Sequence, residues 1–173
     1  MTTRVLGVLV VGVMAILGWG CSCSPTTFDV RVGITGDLVR DLEVGPVEVD
    51  LVGISSSDEQ MWNGKKVSEY FSGSDRDRSS ALKRTFVFSR TERAEKVLDR
   101  NDPIWKEWKA KGVSRLLVLA DIPSLNATDA EGIRDPRRRI VPLESCRWDG
   151  RKMHFEVASN GLRTIINPKP ESN

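Results

Sequence analysis

Histidine is almost missing from this sequence, with one copy at His154, and cysteine occurs only at Cys21, Cys23 and Cys146. A zinc or iron–sulfur centre needs clustered Cys and His ligands, so no metal site is expected. A Walker loop, a nucleophile elbow and a paired-glycine phosphate fingerprint are all lacking, and no cofactor is expected either. Excess charge is also absent. The 26 basic and 24 acidic residues leave a net +2, which excludes a general nucleic-acid surface. The single basic run, Arg137-Arg138-Arg139, has only Trp148 and Phe155 nearby to stack bases. It reads as a solvated strand or loop rather than a phosphate site.

Long apolar runs are scarce as well. The longest spans Val5 to Leu17, thirteen residues of apolar side chains and glycine behind Arg4. As a helix it would cover about 20 Å, against the ~30 Å of a bilayer core. That length and its basic flank fit the apolar region of an export signal over residues 1–20 instead. Gly18 and Gly20 flank a cleavage point before Cys21. The arrangement resembles a bacterial lipoprotein signal, in which the thiol of the cysteine after the cut carries a diacylglyceryl group. The usual box has Leu three residues before the cysteine, whereas here Gly18, Trp19 and Gly20 precede Cys21 and Leu17 lies one place early. Cys21 is the expected lipidation site, with ordinary secretory cleavage as the alternative. Ser22 after the modified cysteine favours, by resemblance to known sorting, the outer membrane on its periplasmic side. A secreted or soluble periplasmic protein is the alternative location. With Cys21 acylated, Cys23 and Cys146 remain, either paired in an oxidising compartment or both free.

What is present reads as β structure. After a tether over residues 21–27, Phe28, Val30, Val32 and Ile34 alternate with Asp29, Arg31 and Gly33, and Val47, Val49 and Leu51 alternate with Glu48 and Asp50. Both are half-buried strand patterns. Ser56 with Glu59 has capping-box spacing and opens a short helix carrying Trp62. Val67, Tyr70 and Phe71 have helix spacing, and "SGSDRDRSS" reads as a polar loop. "KRTFVFS" is a strand. "DRNDPIWKEWKAKG" is a helix with Asp102 as its cap, Pro103 at its start and Gly112 at its stop. "SRLLVLADIP" is a central strand, and "RRRIVPL", "KMHFEV" and "LRTII" complete a set of about seven, with Asp149-Gly150 as a hairpin signal. The expectation is a mainly β domain over 28–167. It is a β-sandwich of the transthyretin or immunoglobulin type with one or two short helices crossing an edge or end, followed by a tail at 168–173. A mixed α+β sheet is the alternative.

Candidate chemistry is thin. His154 reads as an exposed strand residue, and Asp102 as a helix cap rather than the partner of Asp121 in a carboxylate dyad. Trp62, Trp105 and Trp108, if exposed, would form a partner-binding or sugar-stacking surface, and if packed would join helix to sheet. "NAT" at Asn126 matches a glycosylation acceptor by loop coincidence. "DPIWKEWKAKG" with "LLVLADIP" resembles a segment of uncharacterised bacterial lipoproteins. The order of features, with a lipidated cysteine, a first strand, "VEVDLVGI" and a helical excursion, then "LLVLADI" and a basic segment into "IVPL", is similar to the outer-membrane lipoprotein of type VI secretion systems. That resemblance implies a small transthyretin-like sandwich whose loops dock an inner-membrane partner. The expectation is a lipid-anchored, non-enzymatic docking module with an envelope protein partner. A carbohydrate or peptidoglycan binder is the alternative.

Overall fold

The structure, a computed structural model, describes residues 23–125 and 135–170. Eight strands form two four-stranded sheets. The first contains β1 (Asp29–Ile34), β4 (Lys96–Leu98), β7 (Lys152–Ala158) and β8 (Gly161–Thr164), in the order β4-β1-β7-β8. The second contains β2 (Val47–Ile54), β3 (Lys83–Phe88), β5 (Arg115–Asp121) and β6 (Arg138–Pro142), in the order β3-β2-β5-β6. Pairing is antiparallel except between β1 and β7. The inner faces meet in one core that includes Val30, Val32, Val49, Leu51, Leu116, Val118 and Phe155. This is the sandwich that the alternating strands predict.

β2 and β5 are buried on both faces, which simple alternation does not foretell. Their outward residues Val52, Ile54, Leu117 and Leu119 pack with Trp62, Val67 and Tyr70 in a second cluster. Those partners lie on α2 (Glu59–Gly64) and α3 (Val67–Phe71), part of a helical excursion between β2 and β3 that closes with α4 (Arg76–Ser80). The excursion therefore covers a sheet face, not an edge or end. "LLVLA" is a continuous apolar run because both sides of its strand are covered. α1 (Asp41–Val44) follows a 3-10 turn at Gly36–Arg40 in the β1–β2 connection. α5 (Ile104–Ala110) places Trp105 and Trp108 in the main core.

Local readings differ in four places. Asp58, not Ser56, stands before α2, and Ser55 Oγ accepts from its amide at 3.3 Å. "SGSDRDRSS" contains α4, capped by Asp75, whose carboxylate accepts from the Arg78 amide at 2.7 Å. β4 is a three-residue edge strand formed only by pairing with β1. Asp149-Gly150 turns the chain into β7 but makes no hairpin, because β6 and β7 belong to different sheets. Asp102 does cap α5, accepting from the Ile104 amide at 2.9 Å, and Gly112, with φ 69°, ends it. Gly53 is required on packing grounds, since a Cβ there would lie 2.7 Å from the Trp108 ring.

Candidate functional site

β1 and β5 each run from one end of the sandwich to the other, about 20 Å for strands of this length. At the end where β1 starts, residues 23–27 lead in. Cys23 and Cys146 are joined in a disulfide with their Cα atoms 5.9 Å apart. The Thr26 amide donates to the Leu143 carbonyl at 2.9 Å, and Pro25 bridges to Glu144. This segment, expected to be a tether, is thus held along the chain that leaves β6. Beside it a groove of about 400 Å³ runs between Pro25 to Thr27 on one side and Trp105, Trp108 and Val113 on the other. Cys21 lies outside the described residues, as does Asn126.

At the opposite end, β1 delivers the chain into the β1–β2 connection at 36–44. The Thr35 amide donates to the Val157 carbonyl at 2.9 Å, tying this connection to β7. Asp37 accepts from Ser159 Oγ at 2.6 Å and from Thr35, and these hydrogen bonds hold its carboxyl down at about 2. Arg90 donates to the Leu42 and Glu43 carbonyls at 3.3 and 2.8 Å and braces α1. Asp41 is only 3% exposed, and its Oδ1 has no hydrogen-bond partner. A buried carboxylate oxygen left unpaired costs about 1–3 kcal/mol or more. It borders a cavity of about 560 Å³ that Asp37, Arg40, Ser124 and Ser159 also line. Val44, on the same connection, is 75% exposed. A cavity edged by Asp37, Arg40 and Asp41 beside an exposed apolar side chain offers a partner both polar and apolar contacts.

Sequence reasoning missed this site. Its signal is the acidic spacing "GDLVRDLE", which carries no catalytic or ligand motif and gains meaning only from Asp41's burial.

Between the two ends, the outward face of β2 carries a satisfied charge cluster. Asp50 is fully buried and accepts from Tyr70 Oη at 2.9 Å, Arg78 Nε at 2.9 Å and Thr85 Oγ1 at 2.6 Å. Arg78 also pairs with Glu48 and lies over the Phe71 ring at 4.6 Å. Burial and the Asp50 carboxylate push the Tyr70 hydroxyl up, so it stays protonated and donates. These bonds lock the excursion onto the sheet.

Several sequence-predicted residues take structural places instead. Trp62, Trp105 and Trp108 are buried and form no exposed platform, because each ring fills the space between a short helix and a sheet. Trp105 and Trp108 pack edge to face at 4.8 Å and donate to the Asp99 and Leu82 carbonyls. The basic run is not solvated. Arg137 and Arg138 are 5% and 3% exposed. Arg137 forms a forked pair with buried Asp135 at 2.9 and 3.1 Å, and Arg138 donates to the Asn63 and Lys65 carbonyls, satisfying the link between α2 and α3. His154 is partly exposed, its Nε2 3.4 Å from Glu95. Asp102 takes a forked bond from Arg84, whereas Asp121 lies opposite Glu48, so the two carboxylates serve different neighbours. Among the described residues, no group of three or more His, Cys, Asp or Glu could hold a metal. No helix among them is long and apolar enough to cross a membrane.

The arrangement is a two-sheet sandwich with a covered outer face, held at one end by its amino-terminal segment. Solved structures share this fold. One is described as a type VI membrane complex, with a TM-score of 0.55, 11% identity, and 82% of this chain and 99% of the other covered. A second is the type VI secretion lipoprotein TssJ1 from Pseudomonas aeruginosa, at 0.50 and 14% identity over 85% and 100%. A third is Serratia marcescens Lip, a membrane-bound component of the type VI secretion system, at 0.50 and 11% over 87% and 100%. The chain therefore has the fold of type VI secretion lipoproteins. No protein-family model matches the sequence, and no curated protein matches it at a significant level.

Proposed function

We propose that this chain is a lipid-anchored, non-enzymatic component of a type VI secretion membrane complex, fixed to the outer membrane and facing the periplasm. In this reading Cys21 carries the lipid, and the end of the sandwich bearing Asp41 docks an envelope protein partner. The observation that carries the proposal is the shared fold, which spans nearly the whole length of its neighbours. The layout supports it, because the amino-terminal segment and the Asp41 cavity lie at opposite ends of β1. An anchor at one end leaves the other free to reach a partner across the periplasm.

The test is crosslinking in intact cells of the source bacterium, followed by purification and mass spectrometry. An inner-membrane subunit of the secretion apparatus should co-purify with the wild-type chain and be lost with Asp41→Ala. Removing an unpaired buried carboxylate should leave stability unchanged or raise it by up to about 1 kcal/mol. Retention of the partner by Asp41→Ala would move docking away from this end. Intact mass of the purified protein tests the lipid at Cys21 separately.

A further inference from the structure

The disulfide at the end where β1 begins lies at the surface rather than in the core. Cys146 is exposed in the short turn Ser145–Arg147, and Cys23 is half-buried. Exposed disulfides are open to thiol attack and are the labile ones. This bond closes one end of a short strap, residues 23–27, whose other end is Phe28. Phe28 is fully buried and packs edge to face on Trp148, close to Cys146 in sequence, at 5.8 Å. Between these fixed points the strap is held lightly. Ser24 and Pro25 are exposed, and Thr26 and Thr27 are half-buried beside the groove. Among the described residues, two hydrogen bonds tie its backbone. The Thr26 amide donates to the Leu143 carbonyl at 2.9 Å, and the Ser145 amide donates to the Ser24 carbonyl at 3.4 Å.

We infer that the Cys23–Cys146 disulfide is a redox latch, which pins residues 23–27 when oxidised and releases them, hinged at Phe28, when reduced. A balance of free energies supports this. Ordering one residue's backbone costs as much as one net hydrogen bond returns, or more. Two hydrogen bonds therefore fall short of holding five residues, and the covalent link supplies what they lack. Reduction takes two electrons from a dithiol donor. One donor thiolate attacks a sulfur of the disulfide, the S–S bond breaks, and the departing thiolate takes up a proton. The donor's second thiolate then displaces the mixed disulfide. The donor ends as a disulfide, and its two protons end on the thiols of Cys23 and Cys146. Released, the five residues span up to about 17 Å when extended. For a chain fixed to a membrane on its amino-terminal side, as proposed above, this bond then sets how far the sandwich stands from its anchor. That consequence rests on the anchored reading, whereas the latch itself does not.

The test is amide hydrogen exchange on the purified chain before and after dithiothreitol, with alkylation and intact mass confirming that both thiols are free. Before reduction the Thr26 amide should be protected. Afterwards its protection should fall by about tenfold or more, toward the rate of an unstructured chain. Amides of β1 and β5 should stay far slower than that rate, because the sandwich remains folded. Cys23→Ser should show the released strap without reductant and should not respond to it. Cys146→Ser reaches the same state from the other sulfur. The inference is overturned if Thr26 keeps its protection in fully reduced protein, since the backbone bonds alone would then hold the strap. It is overturned equally if β1 and β5 lose protection together with Thr26, or if dithiothreitol leaves the bond intact in the folded chain. These readouts do not depend on what precedes Cys23. Failure of the anchored reading would leave them standing, and failure of the latch would leave that reading untouched.

Discussion

The two ends of the sandwich are built from different materials. Where β1 begins, a disulfide, two tryptophans in edge-to-face contact and a backbone bridge hold the chain, and both indole N–H groups reach a carbonyl. Where β1 ends, the connection to β2 carries a buried carboxylate with an unpaired oxygen and an exposed valine. Asp121 at that end of β5 faces Glu48 across the ladder. The first end contributes stability by apolar packing and covalent closure. Ser114 Oγ and Glu144 Oε2 at the first end are also buried without a partner, so what sets the second end apart is that Asp41 borders a cavity beside the exposed Val44. The proposal above places anchoring at the first end and docking at the second.

The comparison can be broken most severely at the end where β1 begins. Trp108→Ala removes a fully buried indole and should cost about 3–5 kcal/mol, read from urea unfolding. Gly53→Ala should also destabilise through the 2.7 Å approach to that ring, and the two changes together should cost less than their sum. Strict additivity would mean the ring does not press on Gly53.

Cys146→Ser opens a covalent loop closed across a sequence separation of 123 and should lower stability by about 2–5 kcal/mol. Dithiothreitol should shift the wild-type melting temperature downward and leave the variant unmoved. Between the ends, Tyr70→Phe removes one of three side-chain donors to Asp50 and should cost about 1 kcal/mol. A cost several times larger would mean the excursion is released from the sheet as a unit.

The smallest effect belongs to the far end. Burial, then the Glu48 charge, pushes the Asp121 carboxyl above its usual range. A carboxyl with a raised folded-state value contributes its full stability below the unfolded value of about 3.9 and loses it as pH rises through the folded value. Asp121→Asn should therefore raise the melting temperature slightly at pH 7, with the gain vanishing near pH 4. Thermal melts at the two pH values check the sign.

Much of the fold was legible because period-two strands and a well-capped helix are local signals. β2, β3, β5 and α5 form where their residues predict them. β4 was not legible, since three residues become a strand only when β1 supplies the partner. α4 was hidden because Asp75 caps a helix of five polar residues that simple patterning reads as loop. The candidate docking site was least legible of all. No motif marks Asp41, and its meaning comes from being buried without a partner.

By itself, the sequence determined the β-rich character and the strand-to-strand alternation of the inner faces. These depend on residue order within a few neighbours. Tertiary structure alone decided that the helical excursion covers a face of the second sheet, and that Arg137 and Arg138 are buried ties rather than a solvated basic patch. It also decided that the three tryptophans are packing elements rather than a surface. The physical reason is common to all of these: burial and hydrogen-bond satisfaction depend on which distant segment comes to lie above a residue, and no local pattern encodes that.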